Sequence, residues 1–149
     1  MEGLIAHQKR LKELYRKMRF LQESFNFQNP TPFLEELVSI AEELREELEL
    51  HFRVLREGLE PIPATHRLIK ENLLVKEILE RMLGRIIEKG SQNSPDAFLE
   101  LEEFGEIFKA YLKKERGLLR QQIEEVTTPA QRAEIEERVW SLISPFLEG

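Results

Sequence analysis

The sequence predicts an all-α fold, an antiparallel up-down-up-down four-helix bundle followed by a short C-terminal helix. Three observations lead there. Apolar residues recur at steps of three and four, and no stretch shows the period of two that a strand needs. Proline and glycine gather in four compact breaks. Charged residues make up 34% of the chain, a share typical of long amphipathic helices.

The breaks are Asn29-Pro30-Thr31-Pro32, Gly58 to Thr65, Gly90 to Pro95, and Thr127-Thr128-Pro129. Three of them end in Ser or Thr followed by Pro or a helix former. That is an N-cap ahead of a first helical residue whose missing N–H costs nothing. Thr128 with Gln131 also fits a capping box. In the first segment the apolar stripe runs Leu4, His7, Leu11, Leu14, Met18, Leu21, Phe25. The second runs Leu34, Leu37, Ala41, Leu44, Leu48, His51, Leu55. The third runs Leu68, Asn72, Val75, Leu79, Met82, Ile86. The fourth runs Ala97, Leu101, Phe104, Phe108, Tyr111, Glu115, Leu118. Each stripe is a single face with a polar back, so each helix has one side to bury. Short connections between four such helices give the up-and-down order. Residues 1–29 hold six basic and three acidic side chains, a charge of +3. Residues 31–60 hold three basic and nine acidic ones, a charge of −6. Successive helices therefore attract. The bundle takes residues 1–127. Residues 128–149 form the C-terminal helix, with Ala133, Val139, Trp140, Leu142, Ile143 and Phe146. That helix is more apolar than a free tail, and packs on the bundle or at a dimer interface.

Composition excludes several classes of function. Twenty-eight acidic against 22 basic side chains give a net charge of −6, which argues against nucleic acid. The basic cluster from Lys9 to Arg19 answers the acidic second helix. With no cysteine there is no disulfide, thiolate metal site or cysteine nucleophile. No apolar run is long enough to cross a membrane, and a cytoplasmic protein is expected. No phosphate-binding glycine loop, hydrolase arrangement or calcium loop is present.

Five stripe positions are polar where a core wants leucine: His7, His51, Asn72, Tyr111 and Glu115. Burying each without a partner costs about 1–3 kcal/mol. At about 1.5 Å of rise per residue, an antiparallel bundle brings all five into one slab near one end. Imidazole, carboxylate and phenol converging from four helices is the composition of a metal site in a bundle core.

The segment from His51 to Pro61 resembles the second-helix signature of hemerythrin-like (HHE cation-binding) domains. That signature has His, Glu four residues on, Leu eight on and Pro ten on. Ala110 to Leu119 is similar to the fourth-helix version, Ile5-Ala6-His7-Gln8-Lys9-Arg10-Leu11 to the first helix, and Leu68 to Leu73 to the third. The resemblance covers residues 1 to about 125. It implies a bundle holding a non-heme di-iron centre, used for oxygen binding or for oxygen, redox or iron sensing. His7, His51 and Glu115 match ligand positions. Leu55 stands where the second-helix carboxylate belongs. Asn72 replaces the third-helix histidine and Tyr111 the fourth-helix one.

Three ligands cannot hold two irons, so the expected cofactor is none, or a single iron or zinc ion on His7, His51 and Glu115. A complete di-iron site would have to recruit carboxylates such as Glu47 or Glu71. Without metal, the same residues form a polar layer in which His7 and His51 are hydrogen-bonded to Glu115, Asn72 and Tyr111, and exchanging His51 for leucine is expected to cost little. The expected function is that of a binding, regulatory or sensor module with its di-iron site lost, and not that of an enzyme. The alternatives are an iron protein for oxygen or redox chemistry and a purely structural helical module. The expected partner is a homodimer copy or an unknown protein, without nucleic acid or membrane.

Overall fold

A computed structural model describes residues 1–147, and residues 148 and 149 of the C-terminal segment lie outside the described residues. The chain is all-helical, and no strand occurs among the described residues. Helix α1 spans Glu2–Glu23 and α2 spans Thr31–Leu59. A 3₁₀ turn at Pro63–Thr65 leads into α3, His66–Ser91. Helix α4, Ala97–Lys114, continues through a π-helical turn at Glu115–Leu119 into α5, Arg120–Val126. Helix α6 spans Pro129–Leu147. Helix α2 packs on α1 and α3, α4 packs on α3 and α1, and α6 lies across α1 and α2. No described helix is long and apolar enough to cross a membrane.

Local chemistry sets the boundaries. Before α6 the capping box forms in both directions. Gln131 donates its backbone N–H to Thr128 Oγ1 at 3.2 Å, and Thr128 donates its own to Gln131 Oε1 at 2.9 Å. Thr31 and Thr65 make no such cap. The Thr65 hydroxyl turns back to the carbonyls of Leu59 and Ile62, at 2.7 and 2.8 Å, and fastens the turn instead. After α3, Asn93 adopts a left-handed φ of 58°, a conformation Asn tolerates well.

The core is divided in two, and the division runs through the polar stripe positions. On α1, Leu4 belongs to one apolar cluster and Leu11 to the other, with His7 between them. On α2, Leu48 and Leu55 flank His51 in the same way, and around the π turn Tyr111 and Leu119 flank Glu115. Helix α6 completes the smaller cluster with Ile135, Val139 and Ile143. It comes close because Gly3 and Gly58 present no side chain. A Cβ at Gly58 would lie 2.6 Å from Val139 Cγ2. Arg138 also donates from Nε and Nη2 to the Gly58 carbonyl at 3.1 and 2.9 Å, serving an acceptor that the end of α2 leaves free. Trp140 and Phe146 lie on the outer side of α6, 54% and 53% exposed, and Ala133 is exposed too.

One stripe departs from its sequence pattern. Alternating steps predict Leu118 in the core, yet it is 51% exposed and Leu119 is fully buried. The cause is the π turn. Buried positions 111, 115, 119 and 123 all sit four apart. In an α-helix each residue turns about 100°, so every step of four drifts about 40° off the core. The wider π winding absorbs that drift and keeps Glu115, Leu119 and Ile123 facing inward.

Candidate functional site

The fold brings four of the five polar stripe residues into one connected network. His7 and His51 are fully buried, Glu115 is 1% exposed and Tyr111 3% exposed. The two imidazoles lie nearly parallel, 22° apart, with ring centroids 5.2 Å apart. Their Nδ1 atoms are 2.9 Å apart. At the outer end, His7 Nε2 meets Glu47 Oε2 at 2.7 Å. At the inner end, His51 Nε2 lies 2.8 Å from both oxygens of Glu115. Tyr111 donates its hydroxyl to Glu115 Oε2 at 2.5 Å, and Gln8 donates its amide to Glu115 Oε1 at 3.0 Å. The chain of contacts runs from the partly exposed Glu47 through two histidines to a buried carboxylate and phenol.

Proton counting fixes the state of this chain. Each of its three links, Glu47–His7, His7–His51 and His51–Glu115, needs one proton between its two heavy atoms. Two neutral imidazoles supply two N–H protons, so the network holds one more. Burial, and then the charge of His51, lowers the proton affinity of His7 against the pull of Glu47. The extra proton therefore sits on the Glu115 side. His51 donates from both nitrogens, to His7 Nδ1 and to Glu115, and His7 donates from Nε2 to Glu47. Burial alone would raise the Glu115 pKa, but the His51 charge with hydrogen bonds from His51, Tyr111 and Gln8 outweighs it, and the net shift is downward. Burial and the neighbouring Glu115 push the Tyr111 phenol well above its ordinary value, so it remains a donor.

These shifts set the pH response. An unfolded His7 binds its proton near the ordinary 6.5, while the folded chain resists it until lower pH. An unfolded Glu115 binds near 4.5, and again the folded chain resists. In both cases the unfolded state holds more protons, so stability falls as pH falls. From His7 and Glu115, melting temperature should decline below pH 6.5 and decline faster below 4.5. His7→Gln should flatten the upper part of that decline. Thermal melts from about pH 6.5 to 4 check this, and a melting temperature that rises on acidification across that range would show the assigned protonation to be wrong.

Asn72 does not join the network. Its amide donates to the Leu68 carbonyl of its own helix at 2.7 Å, and its Oδ1 has no partner among the described residues. It borders a small void of about 10 Å³ beside Phe52 and Leu55. Leu55 is 1% exposed and packs in the smaller apolar cluster. Glu71 lies elsewhere, paired with Arg67 at 3.2 Å. Among the described residues, no group of three or more His, Asp or Glu side chains is placed to hold a metal ion.

Of two further members, Gln8 is not a sequence candidate, and Glu47 is one only as a carboxylate for a complete di-iron site. Gln8 is 1% exposed, and its signal was the second inward series Leu4, Gln8, Leu11, Tyr15. Glu47 sits one helical turn before His51 on α2, where it reads as part of an acidic solvent face.

No family model, curated protein or solved structure matches the chain.

Proposed function

We propose that this chain is a divergent hemerythrin-like domain, an antiparallel up-down-up-down bundle whose metal-ligand positions have become a hydrogen-bonded polar layer. It acts as a binding or regulatory module, not as an enzyme. The order of the two apolar clusters supports the topology, because it reverses from α1 to α2, again from α2 to α3 and again from α3 to α4 with its π turn. The observation that carries the functional reading is the Nδ1-to-Nδ1 contact of 2.9 Å between His7 and His51. It uses the last free ring nitrogens, since both Nε2 atoms already face carboxylates. A d-block metal binds imidazole through a lone pair, and every one is engaged.

The remaining positions agree. Leu55 cannot coordinate, and the Asn72 amide is turned to its own backbone. The donor set does not suit a di-iron centre. One metal ion is the alternative reading. Two imidazoles oriented by carboxylates resemble the outer hydrogen bonds of metal-bound histidines, and an ion replacing the shared proton would draw on that arrangement. Elemental analysis separates the two. Protein purified without chelator, then reconstituted anaerobically with Fe(II) or Zn(II) and exchanged into fresh buffer, should retain far less than one metal per chain. Retention of one metal per chain, lost in His51→Ala, would replace this reading with the mononuclear one. Two irons per chain would restore the di-iron centre.

A further inference from the structure

We infer that the groove between α1 and the start of α2 is a two-fold interface with a second copy of this chain. The groove measures about 540 Å³ and is floored by Leu21, Phe33 and Ile40. Phe20 stands on its rim, 66% exposed. A large aromatic ring left in water beside an apolar groove is the kind of anchor on which an interface centres.

Charge selects the occupant. Arg16 lines the α1 wall and Glu36 the α2 wall, and both are exposed. Neighbouring charges are already paired, Arg10 with Glu43 and Lys17 with Glu13. Arg16 and Glu36 have no ion-pair partner among the described residues. A partner of one charge sign would be repelled by one wall. A second copy related by a two-fold axis presents Glu36 to Arg16 and Arg16 to Glu36 at once. The same operation seats each Phe20 in the other copy's groove. The rival face lies along α6, and its groove is lined by Glu57, Glu134 and Glu137 with Arg138 alone opposing them. Two-fold pairing there would set acid against acid, although Trp140 is exposed nearby.

The interface lies on an outer face between α1 and α2 and is independent of whether the polar layer takes a metal. The test is the mass of the full chain in solution by sedimentation equilibrium. At low salt the chain should weigh twice its 17.6 kDa, and raised salt should weaken the pairing. Phe20→Ser, Arg16→Glu and Glu36→Arg should each weaken it at least tenfold with helicity by circular dichroism unchanged. Arg16→Glu combined with Glu36→Arg should restore the dimer, because the swap rebuilds both pairs. A chain that stays monomeric at all concentrations overturns the inference. So does a dimer that survives both single charge reversals, one that the double swap fails to restore, or one that Trp140→Ser dissociates in their place.

Discussion

Replacing Glu115 by Leu should lower the melting temperature by roughly 10 °C. Removing one partner of a buried charged pair costs about 3–5 kcal/mol, because the other charge is left without compensation. For a chain of this size each kcal/mol is worth about 2–4 °C. Here the loss falls on three donors together, since His51, Tyr111 and Gln8 all point at that carboxylate. The informative comparison is with the whole layer made apolar. His7→Leu, His51→Leu, Glu115→Leu and Tyr111→Phe in one chain remove every charge buried in the layer, leave the Gln8 amide its bond to the Leu112 carbonyl, and leave Glu47 at the solvent edge. Such replacements are often neutral or stabilising by about 1–4 kcal/mol. The quadruple variant should therefore melt above the single one, reversing the order that additive contributions give. A quadruple variant that melts below Glu115→Leu would mean the layer contributes net stability that leucine cannot replace. An unchanged melting temperature in Glu115→Leu would mean the carboxylate is not the acceptor on which the layer depends.

His51 shows where sequence reasoning stopped. Read from the sequence as one member of a polar layer, it is expected to be exchanged for leucine at small cost. In the fold it is the link between the two carboxylates, bonded to His7 on one side and to Glu115 on the other. His51→Leu would strand the buried Glu115 and leave His7 Nδ1 unpaired, at a cost near that of Glu115→Leu. Periodicity identifies which residues face inward, since that follows from about 100° of turn per residue. It cannot rank them, because rank depends on side-chain rotamers and on which helix supplies each partner. The same limit explains Asn72. Its stripe position was legible, but an amide that can bond its own helix one turn back need not join a distant network. Glu47 enters only as a carboxylate that a di-iron site would recruit, and its place in the layer is hidden for the opposite reason. Glu42, Glu43, Glu46 and Glu49 lie within five residues of it in the sequence, and nothing in composition marks the one that reaches His7. The π turn had a trace in the series 111, 115, 119 and 123, but Leu118 and Leu119 are both apolar. Only the backbone winding decides between them.

Gly105→Ala should destabilise the protein by about 2 kcal/mol, against the sign that helix propensity gives. Alanine in a helix interior is favoured over glycine by about 1 kcal/mol, so an unconstrained glycine should respond to the change with a gain. Gly84 in α3 is such a position, with nothing within 4 Å of the added Cβ, and Gly84→Ala should stabilise by about 0.5–1 kcal/mol. At Gly105 the added Cβ would lie 2.0 Å from the Tyr15 hydroxyl oxygen and 2.9 Å from its Cζ. The Tyr15 ring has little freedom to retreat. It is 6% exposed and packs against Phe108 and Phe104 with centroids 5.3 and 6.2 Å away. The Lys109 ammonium lies 5.5 Å from its centre. Forcing extra volume into such a site costs about 1–3 kcal/mol, occasionally more, and that exceeds the propensity gain. Tyr15→Phe deletes the nearest atom, so the double variant should recover most of the loss. Urea unfolding of both singles and the double gives the coupling directly, and it should exceed about 1 kcal/mol. If Gly105→Ala stabilises as Gly84→Ala does, α1 and α4 do not approach as closely as the Tyr15 contact requires. Close approach of α1 and α4 also lets Gln8 reach the Leu112 carbonyl and Glu115, so a wider crossing at Gly105 would loosen the polar layer as well.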